Sequence, residues 1–147
     1  MKKKISIFMA SIFVVSMMVT MLPQSAEAIQ AHKWEGPYKG IWDDTYDYCG
    51  GDTNQDGNIT IRLKKIQKSG KITNASVFFS DDTADRLDAT GKIYFKNGKR
   101  KIRLKYLQDS GTFVINGRLT AKKGIVGKYD HTTNCSWGGT VNAKKVK

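Results

Sequence analysis

From position 38 onward, apolar and polar residues alternate in short runs, and turn residues return every 8–14 positions. Ile59, Ile61 and Leu63 share one face, as do Ile102, Leu104 and Tyr106, and Phe113, Ile115 and Leu119, while Arg62, Lys64, Arg103, Lys105 and Arg118 fall between them. A period of two is that of a strand with one face buried. No stretch shows the 3.6-residue stripe of an amphipathic helix. The pattern predicts eight strands, over about 38–48, 58–66, 71–79, 90–96, 99–107, 111–119, 124–130 and 136–146.

Ser69-Gly70, Asn97-Gly98, Ser110-Gly111 and Lys123-Gly124 separate consecutive runs tightly enough to force neighbours together, each with a glycine to take up positive φ. Asn97-Gly98 is the strongest hairpin signal. The fold class expected is therefore all-β: a small eight-stranded antiparallel meander closed into a barrel, with a two-sheet sandwich as the alternative.

The first residues follow a different rule. Lys2, Lys3 and Lys4 precede an uncharged run from Ile5 to Leu22, and Ala26-Glu27-Ala28 is the small-x-small pattern that a signal peptidase reads. Residues 1–28 are expected to be a cleavable secretory signal, 29–37 an N-terminal tail and 38–147 one barrel domain. Cleavage leaves no transmembrane span and places the chain outside the cell, with cell-wall association possible through its charge. An exported chain meets an oxidising compartment, so Cys49 and Cys135 are expected to form a disulfide. Strands running alternately up and down put both cysteines at the top, where the bridge would pin the seam between the first and eighth strands.

Of the 25 basic and 13 acidic side chains, export removes three lysines and one glutamate, leaving 22 and 12. The same up-and-down topology sorts them. Lys64, Lys65, Lys68, Lys71, Lys96, Lys99, Arg100, Lys101, Lys122 and Lys123 gather at the bottom with Lys144, Lys145 and Lys147. Asp47, Asp52, Asp56, Asp81, Asp82, Asp85, Asp88, Asp109 and Asp130 gather at the top. The basic end suits an anionic polymer or surface of the envelope, and export makes nucleic acid the wrong partner.

Residues 52–60 begin like an EF-hand loop, with Asp52, Asn54, Asp56 and Asn58 as oxygen ligands and Gly57 at the sixth position. Leu63 stands where the bidentate glutamate belongs, and strands flank the loop. A weak calcium site completed by Asp81, Asp82 or Asp130 is one reading; a plain hairpin loop bending at Gly57 is the other. No further cofactor is expected.

Gly40-Ile41-Trp42 resembles the Gly-x-Trp that opens the barrels of the calycins, the lipocalin and avidin superfamily. The resemblance implies an up-and-down barrel with a small ligand in its mouth, although Lys144 and Lys145 stand where that family carries an arginine near the end of the last strand. Alternation from Trp42 puts Asp44, Tyr46 and Tyr48 on the same inner face, and with Trp137 these form the expected ligand site at the mouth. For the tripeptide the alternative is that Trp42 simply plugs the barrel floor, and for the pocket it is that the strand twists or bulges and leaves Asp43 and Asp44 solvated. With His32 and His131 the only histidines, and no triad, zinc pattern or phosphate-cradling loop, the chain is expected to bind rather than catalyse. An exported binding protein with a basic anchoring end and an acidic, aromatic mouth is the first expectation. A secreted inhibitor of another extracellular protein is the second.

Overall fold

The computed structural model describes residues 30–48, 50, 55–79, 87–108, 111–132 and 136–147. The expected signal, Cys49, Cys135, Asp52 and Asn54 lie outside the described residues. The alternating runs form strands β1 (Gly36–Asp47), β2 (Asp56–Ile66), β3 (Lys71–Phe79), β4 (Leu87–Lys96), β5 (Lys99–Gln108), β6 (Gly111–Leu119), β7 (Gly124–Thr132) and β8 (Ser136–Lys145). Each pairs antiparallel with its successor, and β8 returns to β1, so the meander is a closed barrel rather than a sandwich. Closure removes the two free edges that an eight-strand sheet would otherwise expose.

The inward residues read from alternation are buried. Ile61, Ile102, Leu104 and Ile115 are fully so, and their outward neighbours Arg62, Arg103 and Lys105 are exposed. At the β1–β8 seam the backbones approach so closely that a Cβ on Gly40 would collide with the Asn142 carbonyl, and one on Gly139 with the Asp43 carbonyl. Glycine is therefore a packing requirement of closure at these two positions.

Asn97 and Gly98, at φ 53° and 68°, make the two-residue hairpin their sequence predicts. In the β6–β7 turn the left-handed residue is Lys123, at φ 56°, and not Gly124. A side chain pays about 1 kcal/mol for that region. Lys123→Gly is therefore expected to raise stability in a urea melt by up to roughly 1 kcal/mol, partly offset by the freer unfolded chain.

The segment before β1 is part of the fold. A 3-10 turn at Ala31–Lys33 leads to Trp34, and Ala31 and Trp34 are both buried. Tyr38 Oη donates to the Trp34 carbonyl at 2.8 Å, the Ile66 amide donates to Glu35 Oε1 at 2.8 Å, and Lys145 Nζ donates to the Lys33 carbonyl at 2.8 Å. Trp34, not Trp42, therefore seals the floor. Trp42 lies higher, opposite Gly57 of β2 and Val141 of β8.

Candidate functional site

Two regions concentrate chemistry: the upper interior and the outer wall. In the interior, Asp44 and Tyr129 face each other across Gly139, and Tyr129 Oη donates to Asp44 Oδ1. Asp44 is 9% exposed, and burial, with Asp47 and Asp43 adding like charge, pushes its carboxyl up to about 6.

Around this pair the ring centroids of Trp42 and Phe79 lie 5.7 Å apart, those of Phe79 and Tyr129 5.9 Å, and those of Phe79 and Phe113 6.1 Å. Those spacings are aromatic contact. The four rings come from β1, β3, β6 and β7, so they fill the barrel at that height. A second layer places His131 4.1 Å and Trp137 5.1 Å from Phe113. His131 is 4% exposed, neither ring nitrogen has a hydrogen bond among the described residues, and burial lowers its pKa. It is a neutral packing group at pH 7.

The five residues expected at the mouth do not stay together. Trp42, Asp44 and Trp137 share the interior. Between Asp44 and Tyr46 the β1–β8 register slips by one residue, so that Asp44 faces Gly139 but Tyr46 faces Gly138. This bulge carries Tyr46 out of the inner face. Its ring lies against Gly138, its hydroxyl donates to Asp130 Oδ1 at 2.7 Å, and its phenol is pushed up to about 12. Tyr48 leans on it at 5.5 Å and is 79% exposed.

Of the four expected calcium ligands, Asp56 and Asn58 lie among the described residues. Asp56 and Asn58 are exposed positions of β2, and Gly57 stands in the ladder opposite Trp42 rather than at a left-handed bend. No group of three His, Cys, Asp or Glu suited to a metal occurs among the described residues.

The outer wall of β4–β7 is basic over its whole lower half. Lys92 stands opposite Lys71 on one side and Arg103 on the other; Lys96 stands opposite Lys99, and Lys101 opposite Arg118. Asn116 separates Arg103 from Lys128. None of these cations has a carboxylate as its cross-strand partner. Like charges set directly opposite are destabilising, by up to about 1 kcal/mol a pair.

Three clefts follow one another along this wall. The first, about 560 Å³, is walled by Lys71, Lys92, Arg103 and Lys105 and ends at Tyr94. Tyr94 opens the second, about 540 Å³, with Lys96, Lys99, Lys101, Arg118 and Lys128. Lys99 and Arg118 lead into the third, about 480 Å³, beneath the floor. No acidic residue lines any of them among the described residues. The chain matches no known family model, no curated protein and no solved structure.

Of the basic residues expected to meet a polymer, Lys71, Lys96, Lys99, Arg100 and Lys101 line these clefts. Lys64 and Lys65 belong to β2, Lys68 to the β2–β3 turn, and Lys122 and Lys123 to the β6–β7 turn. Sequence reasoning left Lys92, Arg103, Lys105, Arg118 and Lys128 out of the site. Their signal was available: each falls at an outward position of consecutive strands, but only the register shows that they stand side by side.

Proposed function

We propose that the mature chain is an exported, non-enzymatic binding protein held to an anionic polymer of the cell envelope by its basic wall. The observation that carries this reading is the unbroken run of three cation-lined clefts, in which like charges stand opposite one another with no carboxylate as cross-strand partner among the described residues. A fold that bears this repulsion gains when repeated anions lie along it. Neighbouring strands are about 4.8 Å apart, so successive cations across the sheet offer closely spaced contacts to a flexible phosphodiester or uronic acid chain.

Residues 1–28 carry the export part of the proposal, and a bridge between Cys49 and Cys135 at the seam completes it. Kinship with the calycins belongs to the same reading. It is supported by the meander barrel and by the close approach at Gly40, while Lys145, which reaches the Lys33 carbonyl, stands where that family has its arginine. A small ligand would have to rest on the layer of Phe113, His131 and Trp137, because the layer below is filled by rings.

The test is retention of the mature protein on isolated, protein-free envelope material at rising salt. Elution at a few hundred millimolar salt, with no retention on a neutral glycan, is expected. Equal retention on the neutral glycan defeats the proposal. Mass spectrometry of the secreted protein is expected to place its first residue at Ile29 and to show one disulfide.

The inhibitor reading draws on the opposite end, where Tyr48, which follows Asp47, and Leu107 are 79% and 70% exposed. Stoichiometric inhibition of a secreted hydrolase, by a protein that does not bind envelope material, would favour it.

A further inference from the structure

His131 stands where a phenylalanine would serve the barrel better. It is 4% exposed, and neither ring nitrogen has a hydrogen-bond partner among the described residues. A buried polar atom left unpaired loses the bonds that water gave it, so imidazole weakens this layer relative to a hydrocarbon ring. What imidazole adds is a proton site that changes state near neutral pH.

Tyr106, Phe113, His131, Trp137 and Asp47 form one cross-strand rung over β5, β6, β7, β8 and β1. The Tyr106 and Phe113 rings stack at 4.8 Å, and the His131 ring lies 4.1 Å from Phe113 and 5.0 Å from Trp137. The upper halves of β6 and β8, which pack against His131, carry no charged residue. β7 itself adds Tyr129 below and Asp130 on the outer face, where it accepts from Tyr46. β1 adds Asp44, which accepts from Tyr129, and half-buried Asp47, opposite Trp137.

We propose that His131 is an acid-released latch of the upper layer: on taking a proton its ring leaves the slot between Phe113 and Trp137, and the mouth opens while the barrel below stays closed. The protonated ring has two N–H donors and a charge, and the slot offers neither an acceptor nor a counter-charge. Ring faces attract a cation, but that attraction is small beside the cost of burying an unpaired charge. Asp44 does not supply the counter-charge. Its carboxyl, pushed up to about 6, has taken its own proton by the pH at which a His131 held below 6.5 is charged. Asp47 lies across Trp137, so its pull draws the charged ring out of the slot.

Burial lowers the pKa of His131, so the native layer loses stability as pH falls below 6.5, while Asp44 gains over the same range. A global melt sums these opposite effects, and only a local probe separates them. If a small ligand rests on this layer, acid removes its floor. The experiment uses no ligand, so its failure leaves that reading standing.

The mature protein has two histidines and three tryptophans, and their ring resonances can be followed from pH 7 to pH 4. His32→Gln assigns the imidazoles. His131 is expected to titrate below 6.5 with the Trp137 indole moving in the same step, while the Trp34 indole stays fixed. Acrylamide quenching of tryptophan emission is expected to rise roughly twofold, with the far-ultraviolet strand signal unchanged. His131→Phe is expected to abolish the step, and Asp44→Asn to keep it.

The proposal is overturned if His131 titrates without a response from Trp137, a result that needs no variant to fold. It is also overturned if the step persists in His131→Phe, or if it vanishes in Asp44→Asn, which would assign it to the carboxyl. Loss of the strand signal in the same step overturns it too, because acid would then be unfolding the whole barrel.

Discussion

Replacing Lys101 and Arg103 together by glutamate is expected to weaken binding to polyphosphate by at least tenfold at about 0.1 M salt and to flatten the salt dependence. Each phosphate contact releases a counterion and adds roughly 0.7 to 0.9 to the slope of log affinity against log salt, so two lost contacts lower it by about 1.5. The stability effect should run the other way. Lys101 faces Arg118, and Arg103 faces Lys92. Glutamate at both positions turns two repulsive cross-strand pairs into attractive ones, each worth a few tenths to about 1 kcal/mol. A variant that binds worse and melts higher would show that the wall is shaped by its partner rather than by the barrel. Retention measured against salt, beside a thermal melt, checks both signs. Unchanged retention would remove the wall from the function.

Asp44→Asn is expected to stabilise the protein at neutral pH. In the folded state the Asp44 carboxyl is raised from 3.8 to about 6, so the native chain holds that proton more tightly than the unfolded chain does. The contribution of Asp44 to stability is therefore greatest below about pH 4, falls between pH 4 and 6, and stays low above that. Asparagine keeps an oxygen for the Tyr129 hydroxyl and carries no charge into the interior. The difference between variant and parent should be near zero at pH 4 and reach on the order of 2 kcal/mol at pH 7. Urea melts at pH 4, 5, 6 and 7 measure this difference directly, and other carboxylates largely cancel in it. A difference that does not change with pH would mean that the Asp44 carboxylate is not paying a burial cost.

The strands were legible because alternation is a local property. Ile59 to Leu63, Ile102 to Tyr106 and Phe113 to Leu119 need only their own sequence to choose a face, and Asn97-Gly98 needs only its backbone preferences. The mouth was not legible, because the bulge after Asp44 depends on how β8 passes β1 at Gly138 and Gly139. One extra residue moves every side chain beyond it to the other face, which is how Tyr46 and Tyr48 left the site. Doubled residues on both strands, Asp43-Asp44 and Gly138-Gly139, were the available hint.

Trp34 was missed for another reason. A single aromatic residue before the first strand shows no period, and only Tyr38, Ile66 and Lys145 reveal that the segment is the floor. The wall lies between these cases: its charges were read correctly as outward, but their neighbours belong to other strands.

Closure of β8 on β1 also governs when the protein can finish folding. Tyr38 pairs with Lys145, more than a hundred positions along the chain, and Lys145 then reaches Lys33 at the floor. Seven hairpins can form as the chain emerges, each from neighbouring residues, but the ring closes only after the final strand is free. The loop entropy of that step falls on the last event rather than the first. Until then both ends of the sheet are open strands, so the barrel stays incomplete, with two edges free to pair with other chains, until β8 is in place.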